Sequence, residues 1–265
     1  QWGVRIDGAV TVDMRAVKAR KDAVVEESRT SLKAWLGGTD GLTLVQGEAR
    51  FSSAHTLQVG SQELRAERFF IDCGGRPIVP ELPGMSDVPY LTNVNMMDLE
   101  VLPEHLIIVG GSYVGLEFAH MYRRFGSRVS VLERGSRLIS REDDEVSEAM
   151  AQLLRDDGID VHLSAQVRAV ARAGDAVNVE LADGARLRGS HLLFAIGRVP
   201  NTDRLNLEAA DVTLDDKGFI LVDSQLRSVS APHVWALGDV NRRGAFTHTS
   251  YNDFEIVAAN LLDDD

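Results

Sequence analysis

The chain has 265 residues, with 28 Lys and Arg against 40 Asp and Glu, and therefore a formal net charge of −12. This acidic balance argues against a basic nucleic-acid groove and a polybasic membrane surface, and no apolar run approaches the roughly 18 residues of a spanning helix. The single cysteine, Cys73, excludes an intramolecular disulfide, a Cys-x-x-Cys pair and a thiolate zinc cage within this sequence. We expect a globular, cytoplasmic protein of one or two domains.

Both ends of the sequence carry an expectation. Residues 1–4 contain neither Met nor a signal-peptide pattern, so the chain is expected to begin at a cut end inside a longer protein. The acidic run at 263–265 is expected to be a solvated terminus.

The first third of the chain predicts a helix followed by a small antiparallel meander. Apolar residues at helical spacing predict the helix over 13–36, with Asp13 as its cap and Gly37 at its end. Short β-rich pieces follow at 42–46, 49–51, 56–59 and 69–72. The proline-rich stretch 76–84 is predicted to be a linker between two units.

The middle of the chain predicts a parallel sheet. The apolar run 106–109, a glycine turn, a helix ended by Gly126 and the apolar run 129–132 form one βαβ unit. A helix is predicted near 143–157, with strands near 159–163, 166–171, 176–181 and 186–195 and a polar segment at 201–218.

The turn in this βαβ unit has the pattern Gly110-x-Ser112-x-x-Gly115. Gly110 permits a tight turn, Gly115 permits a close approach of helix and sheet, and the free helix amides face a pyrophosphate. Ser112 replaces the middle glycine of the dinucleotide fingerprint and weakens it. A plain βα turn is the alternative.

A carboxylate follows this turn at the spacing of a ribose-binding residue. Glu133 ends the second strand 23 residues after Gly110. It would accept from the adenosine hydroxyls and repel a 2′-phosphate, which favours NAD. Arg134 and Arg137 could offset part of that repulsion, so NADP stays open, and a solvated strand end is the alternative role for Glu133.

Three further strands end in glycine motifs, at 70–77, 194–201 and 234–240. Together with the Gly110–Gly115 turn, their order and spacing make the chain resemble a class I pyridine nucleotide-disulfide oxidoreductase, near mercuric reductase and dihydrolipoamide dehydrogenase. The resemblance covers essentially the whole sequence. It implies an α/β, FAD/NAD(P)-binding, Rossmann-like three-layer fold.

The resemblance also implies how the domains are arranged. An NAD domain at 91–215 would be inserted in a truncated FAD domain made of residues 1–90 and 216–265. The family's first Gly-rich flavin turn, its Cys-x-x-x-x-Cys pair and its C-terminal dimerisation domain have no counterpart in the sequence. The parent protein is expected to be a homodimer, and this chain a monomer.

In the NAD half, the resemblance assigns roles around the turn. Tyr113 resembles the ring that gates the nicotinamide pocket, Glu117 the carboxylate that faces the nicotinamide, and Gly197 a backbone approach to the dinucleotide. Ser112, Val114 and Arg134 are expected to be further cofactor contacts of this half.

In the flavin half, the resemblance places Gly74 and the backbone around Ala49 near the FAD. Gly238 and Asp239 resemble the second flavin motif, whose carboxylate accepts from the ribitol chain, and Thr247 resembles the position beside the flavin pyrimidine. No metal ligand is assigned, and Cys73 is interpreted as a packed small residue.

The resulting hypothesis is a flavin-dependent oxidoreductase that passes hydride from NAD(P)H through FAD to a small disulfide, metal or quinone acceptor. The chain alone is expected to be inactive because it lacks the redox cysteines, and no catalytic residue is assigned. The alternative is a catalytically inactive dinucleotide-binding module.

Overall fold

The structure is a computed structural model that describes residue 8 and residues 10–262, so the expectations for 1–4 and 263–265 lie outside the described residues. The helices are α1 (Met14–Gly37), α2 (Tyr113–Phe125), α3 (Asp144–Asp156) and α4 (Thr247–Leu262). The strands are β1 (Ala49–Ser53), β2 (Thr56–Val59), β3 (Gln62–Arg65), β4 (Phe69–Ile71), β5 (Gly75–Pro77), β6 (His105–Val109), β7 (Arg128–Leu132), β8 (Asp160–His162), β9 (Val167–Ala173), β10 (Ala176–Leu181), β11 (Arg186–Gly189), β12 (His191–Phe194), β13 (Arg198–Pro200) and β14 (Val234–Ala236).

The chain divides into two compact units, and the segments of the two units alternate along the chain. The first unit comprises Gln1–Ala34 and Pro77–Gly197, and the second comprises Trp35–Arg76 and Arg198–Asp265. These limits differ from the predicted domain limits of 90 and 215. The segment after Pro77 joins the first unit because Leu82 and Val88 pack into its core, where Val170 N–H donates to Pro83 O at 3.0 Å.

The first unit has three layers, which confirms the predicted Rossmann-like α/β class. Its central sheet is parallel, with strand order β12-β6-β7-β8, and the antiparallel sheet β9–β11 packs on one face. Side chains alternate along β6: Leu106 and Ile108 pack with α2 and α3, while Ile107 faces the antiparallel sheet. Both faces are covered, which is why β6 is continuously apolar.

The predicted βαβ unit is confirmed. Helix α2 connects β6 to the parallel β7 and ends where Gly126 takes the left-handed conformation, with φ of 115°. Strand β12 lies on the other side of β6. The strand order therefore reverses between β12 and β6, which is where open α/β sheets bind ligands at their carboxyl ends.

The strand predicted over 186–195 is wrong as a single element. Strand β11 pairs antiparallel with β10, whereas β12 pairs parallel with β6, and the break falls at Ser190. The Ser190 hydroxyl donates to His105 O at 3.1 Å and accepts from His105 N–H at the same distance. Two consecutive strands, separated by one residue, thus belong to two different sheets.

In the second unit, β1–β3 form an antiparallel meander as predicted, but the strands that form it differ from the predicted ones. The stretch 42–46 is not a strand, since Leu42 and Leu44 stay exposed and Gly47 follows with φ of 158°. The polar strand β3 was missed because it lacks an apolar alternation. Strands β4 and β14 pair in parallel over a separate core that includes Phe69, Ile71 and Val234.

None of the described helices combines the length and apolar character needed to cross a membrane.

Candidate functional site

The turn between β6 and α2 is closed by two glycines that no other residue could replace. A Cβ atom on Gly110, whose φ is 117°, would lie 2.3 Å from Ala195 O. A Cβ atom on Gly115 would lie 2.2 Å from Gly110 O. The tight turn and the close helix approach predicted from the sequence are therefore present in the geometry.

Ser112 is the N-cap residue of α2, in extended conformation, and its hydroxyl makes no capping hydrogen bond. Leu116 N–H donates to Ser112 O at 3.0 Å as the first intrahelical bond. The amides of the first turn of α2 precede this bond and lie at the N-terminal end of the helix. Ser112, Tyr113 and Val114 are all exposed there. This is the arrangement that binds a phosphate at a helix N-terminus.

The Glu133 carboxylate lies against the glycine turn. Its Oε2 accepts from Gly111 N–H and its Oε1 accepts from Gly135 N–H, both at 2.7 Å. The side chain is half-buried. The Glu133 carboxylate is therefore bound by two backbone amides rather than solvated at the end of β7.

The segment 134–142 folds back onto the same turn. Ile139 N–H donates to Gly111 O at 2.9 Å, and the Tyr113 hydroxyl donates to the Glu142 carboxylate. This hydrogen bond is the main cause that raises the pKa of Tyr113. Sequence reasoning missed Ile139 and Glu142, and no local pattern distinguishes Glu142 from the acidic residues that follow it.

The two arginines after Glu133 differ in their surroundings. Arg137 forms an ion pair with Asp144 and donates to Ser140 O at 2.9 Å. Arg134 is exposed beside the strand end. The Arg137 guanidinium, one of the two positive charges that could face a 2′-phosphate, is therefore already paired with the Asp144 carboxylate.

Gly197 lies at the carboxyl edge of the parallel sheet, as does the Gly110–Gly115 turn. It follows β12, the neighbour of β6, and Ala195 N–H donates to Val109 O at 2.8 Å. Gly197 has φ of 130°, and its carbonyl accepts from Ile78 N–H at 3.0 Å. Glu117 is exposed on α2, one turn after Tyr113.

In the second unit, the turn after β14 is tied to α4 by an aspartate that the sequence did not reveal. Asp253, only 2% exposed, accepts at Oδ2 from Gly238 N–H at 2.9 Å and from Asn241 Nδ2 at 2.8 Å. A buried carboxylate requires such donors. They fix the position of Gly238 and of Asp239 beside it.

Asp72 and Asp239 end the two adjacent parallel strands. Gly238 has φ of 67°, and a Cβ atom there would lie 2.7 Å from Asp72 Oδ1. Ser250 Oγ donates to Asp72 Oδ2 at 3.4 Å. Desolvation is the largest cause that raises the pKa of Asp72, and the charges of Asp239 and Asp253 add to it. Asp239 forms an ion pair with Arg198 Nε at 3.3 Å.

The remaining predicted flavin contacts are less closely grouped. Gly74 follows β4 with φ of 63°, and its carbonyl accepts from Asn201 N–H at 3.0 Å. Ala49 begins β1 in the separate meander, and Thr247 is an exposed residue at the start of α4. The pairing of β4 with β14 thus groups Gly74 with Gly238 and Asp239.

Cys73 is half-buried, and its Sγ donates to Asn201 O at 3.4 Å. Burial is the main cause that raises the pKa of this thiol. Such a cysteine is a poor nucleophile. Within residue 8 and residues 10–262, no three His, Cys, Asp or Glu side chains form a group that could hold a metal ion.

Comparison with known proteins gives close relatives over nearly the whole chain. It is 38% identical over 260 residues to a mercuric reductase of Streptomyces lividans, covering 95% of this chain and 54% of that protein. It is 36% identical over 254 residues to the probable pyridine nucleotide-disulfide oxidoreductase RclA of Escherichia coli, covering 94% of this chain and 57% of that protein. The chain therefore spans little more than half the length of these curated relatives.

Solved structures with a similar fold include a disulfide reductase. The HOCl-induced flavoprotein disulfide reductase RclA of Escherichia coli superposes with a TM-score of 0.89 at 35% identity, over 94% of this chain and 57% of that one. LpdA of Mycobacterium tuberculosis gives a TM-score of 0.86 at 25% identity, over 97% of this chain and 58% of that one. The family model for pyridine nucleotide-disulphide oxidoreductases matches residues 6–253. The chain belongs to the pyridine nucleotide-disulphide oxidoreductase family.

Proposed function

We propose that the first unit binds a nicotinamide dinucleotide across the Gly110–Gly115 turn. The observation that carries this proposal is the Glu133 carboxylate, which accepts from Gly111 N–H and Gly135 N–H at 2.7 Å beside the turn. The amides of the first turn of α2 would bind the pyrophosphate, and Glu133 would accept from the adenosine ribose. Gly197 would bring its backbone to the dinucleotide from β12, and Tyr113, Glu117, Ser112, Val114 and Arg134 remain proposed contacts.

NAD is the proposed dinucleotide in preference to NADP. A 2′-phosphate would meet the Glu133 carboxylate, and of the two neighbouring arginines Arg137 is already paired with Asp144. Calorimetric titration with NADH and with NADPH tests this preference. Tighter binding of NADH supports it, and equal or tighter binding of NADPH contradicts it.

The second unit fits the ribityl end of a flavin. Gly74 and Gly238 both have positive φ, and a side chain on Gly238 would collide with Asp72. Asp239 supplies an acceptor held by Arg198, which suits the hydroxyl groups of a ribityl chain. Ala49 and Thr247 are proposed as further flavin contacts.

The activity proposed for the longer protein is the reduction of a small acceptor, a disulfide, a metal or a quinone, at the expense of NAD(P)H. When bound, FAD would carry the electrons between the nicotinamide and that acceptor. The residues of this chain would bind and orient the two cofactors. The names of the relatives support this reaction class, since they are a mercuric reductase and a flavoprotein disulfide reductase.

A second candidate is a catalytically inactive dinucleotide-binding module. It is favoured by the composition, since Cys73 is the single cysteine of the sequence and no second thiol can form a redox pair with it. We propose that the chain alone is monomeric and inactive, and that the longer protein is a homodimer.

The absorption spectrum of the purified chain, before and after incubation with FAD, separates the two candidates. Flavin bands that stay with the chain through gel filtration, at the elution volume of a monomer, support the flavin-binding role. A colourless chain that still binds NADH supports the module.

A further inference from the structure

The amino edge of the parallel sheet, opposite the turn between β6 and α2, carries a network of polar side chains. His105 begins β6, Arg128 and Ser130 lie on β7, and Asp160 begins β8. The strand register places these four side chains on the face that also presents Ile107 to the antiparallel sheet. Ser130 is fully buried, whereas the Asp160 side chain is 46% exposed. The network therefore runs from the covered part of the sheet to solvent.

One hydrogen bond fixes the tautomer of the neutral His105 ring. His105 Nδ1 lies 2.8 Å from Arg188 O, and a carbonyl oxygen only accepts, so Nδ1 carries the proton. His105 Nε2 is then an acceptor, 2.9 Å from Ser130 Oγ. Nε2 donates only after the ring has taken up a second proton.

The Ser130 hydroxyl has one proton and two acceptors within reach. Its Oγ lies 2.9 Å from His105 Nε2 and 3.3 Å from Asp160 Oδ2. While the ring is neutral, the hydroxyl donates to the nearer Nε2, and Asp160 keeps the Arg128 guanidinium at 3.1 Å as its partner. When the ring is protonated, Nε2–H donates to Oγ, and the hydroxyl donates to Asp160. Both contacts of Ser130 are hydrogen bonds at the same time only in the protonated state.

The groups that face His105 act on its protonation in opposite directions. Burial is the largest cause that lowers the pKa of His105, and the Arg128 charge on β7 adds to it. The Arg188 carbonyl on β11, the Asp160 charge on β8 and the Glu104 charge just before β6 favour the cation. The Ser130 hydroxyl connects the ring to one of the two carboxylates that favour its charged form.

We propose that His105, Ser130 and Asp160 form a pH switch in which protonation of the ring reverses the Ser130 hydrogen bond. Nε2 takes up one proton, and the Ser130 hydroxyl turns from Nε2 to Asp160 Oδ2. In the protonated state, continuous hydrogen bonds join β11, β6, β7 and β8 at the amino edge. The folded chain thus accepts a proton on a half-buried ring without unfolding, and the switch does not depend on the proposed cofactor sites.

Nuclear magnetic resonance of the isotopically labelled full chain follows the His105 ring through a pH series, and His105→Gln identifies its signals by their loss. The neutral ring is expected as the Nδ1–H tautomer, and the protonated ring is expected to gain a slowly exchanging Nε2–H signal. A neutral ring with its proton on Nε2 would overturn the proposal, because Ser130 would then accept from Nε2 in both states.

Two substitutions test the connection through Ser130. Asp160→Asn is expected to lower the pKa of His105 further, and this effect is expected to be smaller in the Ser130→Ala background, where no hydroxyl connects the two groups. Glu104→Gln is the matched control, since it removes a carboxylate that acts on the ring through its charge alone, and it is expected to lower the pKa less. An equal effect of Asp160→Asn with and without Ser130 would show that the hydroxyl does not reverse.

Thermal unfolding gives a second measurement whose sign follows from linkage. A lower folded-state pKa widens the pH range in which the unfolded chain binds more protons, so Asp160→Asn is more sensitive to acid. Its unfolding temperature is expected to fall about 1–4 °C further below that of the unaltered chain at about pH 5.5 than at about pH 8. A merely structural role lowers the temperature equally at both pH values and would contradict the switch.

Arg128→Gln serves as the test if Asp160→Asn does not fold. It removes the charge that opposes protonation and releases Asp160 from its ion pair, so the pKa of His105 is expected to rise. An unchanged or lowered pKa in this variant would overturn the proposal.

Discussion

At the scale of single residues, both oxygens of the Glu133 carboxylate accept hydrogen bonds from backbone amides. We expect Glu133→Ala to weaken NADH binding about tenfold or more, because a charge-assisted hydrogen bond to the ribose contributes roughly 1.5–3 kcal/mol. Isothermal titration calorimetry measures this change. Glu148→Ala, at an exposed position of α3, is the matched control, and an unchanged affinity in Glu133→Ala would eliminate the ribose assignment.

Cys73 gives a second test at this scale. Burial raises the pKa of its thiol, so little thiolate forms near neutral pH. We expect slow reaction with a disulfide reagent in the folded chain and release of one thiol equivalent on unfolding in denaturant. The absorbance of the released reagent follows both phases. Rapid labelling of the folded chain would show that Cys73 is a reactive thiol after all.

The residues that sequence reasoning found are those whose partners are close in sequence or whose role is steric. Gly110 and Gly115 are required by a turn of six residues, and the spacing of Glu133 follows from the length of one βαβ unit. Asp253 and Glu142 were missed. Their partners lie 15 and 29 residues away, and only the packing of the helices and the turn segment brings these groups together.

At the scale of elements, the sequence predicts a helix or strand less well the more that element depends on a pairing partner from elsewhere in the chain. The βαβ unit was predicted well because strands covered on both faces and a glycine-ended helix leave strong local patterns. The break at Ser190 was missed because β11 and β12 are separated by this single residue, and their pairing partners, β10 and β6, distinguish them. Polar β3 depends on β2 for its existence in the same way.

The turn between β6 and α2 provides a test of how closely the two elements pack. In Gly115→Ala the new Cβ atom meets Gly110 O at 2.2 Å, a backbone atom that cannot rotate away. We expect a loss of about 1–3 kcal/mol in the free energy of unfolding, together with weaker NADH binding, because the helix must shift from the turn. Denaturant unfolding measures the first effect and calorimetry the second.

Gly37→Ala is the control for this substitution. Gly37 ends α1, and a Cβ atom there would have no heavy atom within 4 Å. We expect a change within about 0.5 kcal/mol. If both variants unfold alike, close packing at Gly115 is not what holds the turn.

At the scale of the whole molecule, two half-buried histidines contribute to the dependence of stability on pH. Burial lowers the pKa of His105 and of His191 below their usual value of 6.5. The unfolded chain therefore binds more protons than the folded chain between the lowered values and 6.5, and stability falls as pH falls through that window. The unfolding temperature is expected to drop from neutral pH toward about pH 5.5.

Replacement of His191 by Gln is expected to flatten this pH dependence, because the group that must take up a proton on unfolding is gone. Asn252→Gln, which replaces an uncharged residue at an exposed position of α4, serves as the control and should keep the slope of the unaltered chain. Thermal unfolding followed by circular dichroism over a pH series measures the slope. A His191→Gln slope equal to that of the unaltered chain would contradict this explanation.

The division into units was harder to predict than the elements themselves. The prolines at 77–83 favour a linker by composition, yet Leu82 and Val88 pack into the core of the first unit. Composition indicates that the prolines interrupt regular structure, but it does not indicate into which unit's core the side chains of this segment pack. The insertion of an NAD domain in a FAD domain, which the resemblance implies, stays a prediction, and most of helix α1 belongs to the first unit rather than to the unit that contains β1–β3.

The most direct test of the central claim locates the dinucleotide on the chain. Amide-resolved NMR of the isotopically labelled protein during titration with NAD⁺ reports binding residue by residue. The account predicts saturable shifts at the amides of Gly110, Gly111, Gly115 and Gly135, with an affinity roughly between 1 μM and 1 mM. Saturable shifts confined to residues away from this turn, or no shifts at all, would contradict it.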